Sequence, residues 1–91
     1  MTGWDYFAVC LERESSYERP STIARRRPGT GDAAAEHLGA DGRWQRTDAF
    51  TRRAHGDTDA ELVPIDRARA REIAAGAVAE GLLPRLPDDL A

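Results

Sequence analysis

The segment Trp4 to Leu11, WDYFAVCL, constrains the fold of this chain more than any other. It is aromatic and β-branched and contains neither Gly nor Pro. Strand alternation sets Trp4, Tyr6, Ala8 and Cys10 on one face and Asp5, Phe7, Val9 and Leu11 on the other. Both faces are largely apolar. Such a strand needs cover on one side and on part of the other, so it belongs in the interior of a sheet. With 91 residues in all, the chain has room for one small domain around that sheet. About 60–65% of the unfolded surface is buried in a domain of this size, so its core is thin.

A second strand is expected over Ser21 to Arg27, antiparallel to the first, with one face wet. Arg13 to Pro20 is polar and ends in Pro, which reads as a loop or hairpin connection. The cluster Pro28-Gly29-Thr30-Gly31-Asp32 is a turn. Residues 33 to 38 admit two readings. One is a short helix capped by Asp32 and closed by Gly39. The other, preferred, is a strand that turns at Ala40-Asp41-Gly42 and returns through Trp44 and Arg46, because Asp-Gly before an aromatic is a hairpin signal. Ala49 to Ala54 reads as a one- to two-turn helix with Phe50 facing inward. Glu61 to Ile65 is at most an edge strand, since Pro64 lacks the N–H that an inner strand needs.

The clearest helix runs from about 66 to 82. Asp66 is a good N-cap. Apolar or small residues recur at 70, 73, 74, 77, 78 and 81, a stripe at helical spacing made mostly of Ala and Gly. Gly76 lies off that stripe and costs about 1 kcal/mol against Ala. Two prolines follow, and Leu83, Leu86 and Leu90 either dock on the body or remain for a partner. The expected fold is therefore α+β: a small antiparallel sheet of three to four strands packed against one C-terminal helix. A single domain spans 1–83, and a tail rich in Pro and Leu spans 84–91.

Charge narrows the function classes. Sixteen acidic residues against thirteen basic ones give a net charge of −3. That disfavours a general attraction to nucleic acid, which needs a positive surplus on one face. Every basic residue is Arg, and there is neither Lys nor Asn. This usage reads most simply as GC-rich coding bias. The alternative is selection for planar bidentate donors that grip carboxylate or phosphate. A single cysteine, Cys10, excludes an internal disulfide framework and a zinc site of several cysteines. The N-terminal residues show no basic region followed by an apolar stretch, so a cytoplasmic location is the default expectation. No apolar run approaches the roughly 20 residues that span a bilayer.

Catalytic signals are weak. His37, His55, Ser15, Ser16 and Ser21 form no nucleophile pattern, and no enzyme activity is expected. Asp57-x-Asp59-x-Glu61 begins like a calcium loop, but the sixth and twelfth positions are Leu62 and Ala68 rather than Gly and Glu. Gly29-Thr30-Gly31 lacks the third glycine and the helix of a phosphate loop. No cofactor and no metal is expected.

The candidate partner-binding residues are the basic clusters Arg25, Arg26, Arg27, Arg52 and Arg53 and the acidic loop Asp57, Asp59 and Glu61. On a strand, Arg26 points opposite to Arg25 and Arg27. Ion pairing across the presumed hairpin, to Glu12, Glu14 or Glu18, competes with a contact role. The preferred reading is a non-enzymatic protein-interaction module, with a homodimer possible and nucleic acid disfavoured. The alternatives are a nucleic-acid-associated regulator using the arginine clusters, and a small-molecule binder with its pocket between sheet and helix, near Trp44.

Four stretches carry a resemblance: Trp4-Asp5-Tyr6-Phe7, Asp41-Gly42-Arg43-Trp44, Thr47-Asp48-Ala49-Phe50 and Glu61 to Asp66. In their order the chain resembles small actinobacterial α+β proteins and is similar in style to compact immunity-type proteins of bacterial toxin systems. The resemblance covers about residues 4–80. It implies a meander of strands with one packed helix and carries over no catalytic residue.

Overall fold

The computed structural model describes residues 3–10, 22–29, 34–56 and 60–90. Five strands form one sheet: β1 Asp5–Cys10, β2 Thr22–Arg26, β3 Glu36–Leu38, β4 Trp44–Arg46 and β5 Glu61–Ile65. Two α-helices, α1 Ala49–Ala54 and α2 Arg67–Ala79, and a final 3₁₀ turn Asp88–Leu90 complete it. The strand order is β4-β3-β2-β1-β5, and every pairing is antiparallel. The α+β class is as expected, but the sheet has five strands rather than three or four, and α1 joins α2. The extra strand is β5. Pro64 is accommodated because β5 lies at the sheet edge, beside β1, where a missing N–H leaves no ladder partner stranded.

Strand alternation divides the interior into two cores. Tyr6, Ile23 and Leu38 face α2 and pack with Ala70, Ala74 and Leu90. Phe7, Val9 and Ala24 face the other way and pack with Ala35, Phe50 and Ala60. Phe7 and Phe50 meet edge-on, with ring centroids 4.9 Å apart. Cover on both faces explains why both sides of β1 are apolar. Cys10 is buried at the end of β1, and burial first, then the charge of Glu61, pushes its thiol pKa up.

Within the described part of the segment 33–38, Glu36–Leu38 is strand β3, in line with the strand reading. The β3–β4 hairpin closes with the Gly39 N–H donating to Arg43 O at 2.9 Å and the Gly42 N–H donating to Gly39 O at 3.0 Å. Gly42 adopts φ +79°, and a Cβ there would come within 3.0 Å of the Arg85 carbonyl oxygen. Glycine is thus required both by the turn and by the tail that lies against it.

Helix α2 begins as expected: Asp66 Oδ1 accepts from the Arg69 N–H at 2.7 Å. Its end is a correction. The apolar stripe carries the expected helix through 82, but α2 ends at Ala79, with Glu80 as its C-cap donating its N–H to Gly76 O at 3.0 Å. Gly81 turns to φ +77°. The Gly81 N–H donates to Val78 O at 3.1 Å and the Leu82 N–H to Ala77 O at 2.8 Å. That is a Schellman closure, with Gly81 as its left-handed residue. The tail then docks rather than standing free. Leu90 is fully buried in the α2-side core, and Leu83 and Leu86 pack against the same cluster.

Candidate interaction surface

Alternation along β2 decides what each arginine can do. Arg25 points to the α2 face and is buried, with 8% of its side chain exposed. Its Nε donates to Glu36 Oε1 at 3.0 Å, and Nη2 lies 2.9 Å from the same oxygen. Its Nη1 pairs with Asp89 Oδ2. The guanidinium also lies between two indoles, 4.1 Å from the Trp4 ring centroid and 4.0 Å from that of Trp44. Trp44 Nε1 donates to Asp89 Oδ1 at 3.0 Å, and Arg67 Nη2 donates to the Asp89 carbonyl oxygen at 2.5 Å. Partial burial alone would raise the Asp89 carboxyl. Hydrogen bonds from Arg25 and Trp44, with the Arg25 charge, outweigh it and hold the carboxyl below its usual range. Arg25 therefore joins the tail to the sheet.

Arg27 returns to the same face and lies exposed over Trp4, at 4.4 Å. Arg26 points the other way. Its guanidinium carbon sits 4.5 Å from the Phe50 ring centroid and 5.2 Å from that of Phe7. Asp5 lies opposite Arg26 across the ladder, yet the guanidinium rests on the rings and makes no ion pair among the described residues. Phe50 belongs to α1, which also carries Arg52 and Arg53. Arg53 follows Phe50 by three positions and so leaves the helix on the same side. Both arginines are exposed, and neither enters an ion pair among the described residues.

The structure thus puts Arg26 over Phe50, whose helix α1 also carries the exposed Arg52 and Arg53, places Arg25 inside, and puts Arg27 on the opposite face. Glu61 stands at the far end of β1, opposite Cys10, five positions or roughly 17 Å from Arg26's partner Asp5. It is not part of the basic ridge. Asp57 and Asp59, like Glu12, Glu14 and Glu18, lie outside the described residues. Arg25's partners among the described residues are Glu36 and Asp89. Glu36 is its ladder neighbour across β2–β3, which a hairpin reading can reach. Asp89 lies 64 residues away, and no local signal points to it.

Thr47, rather than Asp48, serves α1: its Oγ1 accepts from the Ala49 N–H at 3.1 Å, while the Asp48 side chain makes no cap. Among the described residues, no group of three or more His, Cys, Asp or Glu side chains is placed to hold a metal ion. No helix there is long and apolar enough to cross a membrane. The expected pocket between sheet and helix is present, but Ile23, Leu38 and Ile73 line it and Trp44 does not; its volume is about 390 Å³. Trp44 lines a separate recess of about 280 Å³ under the tail. Compared with known protein families, curated proteins and solved structures, the chain matches none.

Proposed function

We propose that this chain is a non-enzymatic protein-interaction module, an accessory or immunity-type binder, whose contact surface is the ridge of Arg26, Arg52 and Arg53. One observation carries the reading: the Arg26 guanidinium rests on Phe50 with no ion-pair partner among the described residues, and the helix that bears Phe50 also carries the exposed Arg52 and Arg53. The aromatic pair beneath Arg26 limits its rotamers, so less entropy is lost when a carboxylate binds its planar fork. Arg52 and Arg53 add exposed charge, which speeds encounter with an acidic surface more than it adds affinity. The partner is a protein that presents clustered Asp or Glu. Nucleic acid is disfavoured by the net charge of −3.

The test is a tagged capture from native lysate, with and without nuclease, at low and moderate salt, using the wild-type chain and Arg52→Glu/Arg53→Glu. A discrete protein that survives nuclease and is lost in the double variant supports the reading. Recovery that disappears with nuclease and falls with about one power of salt per phosphate contacted would replace it with a nucleic-acid role.

A further inference from the structure

The tail beyond α2 carries a separate inference. It does not rest on the arginine ridge, which lies on the other face of the sheet. The tail is gripped at its far end. Arg25 pairs with one Asp89 carboxylate oxygen, Trp44 Nε1 donates to the other at 3.0 Å, and Arg67 Nη2 donates to the Asp89 carbonyl oxygen at 2.5 Å. Leu90 is fully buried in the cluster that holds Tyr6, Ile23 and Ala70. None of these contacts depends on which copy of the chain supplies Asp89 and Leu90.

The joint between α2 and the tail has two hydrogen-bonded arrangements. In the closed one, Gly81 stands at φ +77° and the chain turns back on its own body. The Gly81 N–H donates to Val78 O at 3.1 Å, and the Leu82 and Leu83 N–H groups donate to Ala77 O at 2.8 and 3.3 Å. With Gly81 at a helical φ, the same three donors would take Ala77, Val78 and Ala79 O, their ordinary helical acceptors. No donor is stranded by the change. Pro84 has no N–H and stops any longer extension. The side chains favour the longer helix. Leu82 follows Val78 by four positions, so on an extended α2 the two would meet. In the closed joint Leu82 is 66% exposed, the only large hydrophobic residue so exposed among those described. The closed joint therefore depends on the freedom of glycine at position 81.

We propose that the tail exchanges between two copies of this chain. Gly81 turns helical, each α2 runs on to Leu82, and each tail docks Asp89 and Leu90 into the other copy. Reciprocal exchange closes a twofold dimer in which every contact of the docked tail end is kept. Rising concentration favours it, because in the closed monomer the chain's own tail is always at hand.

The test compares Gly81→Ala and Gly81→Asn with the wild type by sedimentation equilibrium. A Cβ at position 81 would meet nothing within 4 Å, so the variants differ in backbone preference rather than in fit. A left-handed backbone disfavours alanine about tenfold per residue, and a dimer has two such joints, so Gly81→Ala should dimerise about a hundredfold more tightly than wild type. Asparagine accepts positive φ more readily, so Gly81→Asn should fall between the two. Exchange is read directly by mixing isotope-labelled and unlabelled copies of a variant. Nuclear Overhauser contacts from the Leu90 methyl groups to Tyr6 and Ile23 should then cross between copies. Gly81→Asn carries both readouts if Gly81→Ala does not fold. Variants that stay monomeric, dimers no tighter than that of wild type, a Gly81→Ala dimer no tighter than that of Gly81→Asn, or Leu90 contacts confined to one copy would each overturn the proposal.

Discussion

On one face of β2, Arg25 is enclosed by two indoles and two carboxylates; on the other, the half-buried Arg26 rests on two phenyl rings and makes no ion pair among the described residues. The residues are adjacent and chemically identical. What separates them is the pleat, which sends one toward α2 and the docked tail and the other toward α1. A buried guanidinium must have partners, because an isolated buried charge is strongly disfavoured. Glu36 and Asp89 meet that need. A half-buried guanidinium over aromatic rings is met by the ring faces without an ion pair, and it can still take a carboxylate. A run of three arginines is therefore a mixture: Arg25 builds the fold, and Arg26 serves the surface.

The closed face should be the one that breaks. The largest effect is expected from Leu90→Ala, which leaves a cavity beneath the tail and should cost about 3 kcal/mol in urea unfolding. A loss under about 1 kcal/mol would mean that the tail contributes little to holding that face. Asp89→Asn removes the charge that joins the tail to Arg25. Its carboxylate is 44% exposed, so screening limits the loss to about 1 kcal/mol. The emission of Trp44, whose N–H it accepts, should change with it.

Acid sharpens the same contrast. The Asp89 carboxyl titrates below its ordinary value of 3.8 in the folded chain, so its contribution is present above that value and is lost as pH falls through the folded one. The stability gap between wild type and Asp89→Asn should thus be constant near neutrality and shrink below pH 3.8. A gap that widens in acid would contradict the assignment. The open face should respond least. Arg52→Glu/Arg53→Glu should change stability by less than about 0.5 kcal/mol, because both side chains are exposed and unpaired among the described residues. A larger loss would assign these arginines a structural role.

Much of this arrangement is legible before any coordinates. Alternation through Trp4–Leu11 places both cores, and the same rule separates Arg26 from Arg25 and Arg27. Asp41-Gly42 marks the hairpin, and Asp66 marks the start of α2. Pro64 limits Glu61 to Ile65 to an edge strand, and β5 is the edge strand beside β1. Two features are not legible, for identifiable reasons. Gly81 continues a helical stripe in one dimension, yet its freedom to adopt positive φ ends the helix there. The tie between Asp89 and Arg25 spans 64 residues and depends on where the tail docks. The arginine ridge is legible only in part. Arg52 and Arg53 are adjacent in the chain, but that their helix lies against the Arg26 face of the sheet depends on Phe50 packing against Phe7.

The most direct measurement is urea unfolding of Arg25→Lys and Arg26→Lys side by side. Lysine keeps the charge but loses the planar fork and the stacking surface. Arg25→Lys should lose about 2 kcal/mol, because Glu36, Asp89 and both indoles are fitted to a guanidinium. Arg26→Lys should lose less than about 1 kcal/mol, the upper end of an exposed cation–π contact. Equal losses, or a larger loss at Arg26, would contradict the division of β2 into a building face and a contact face.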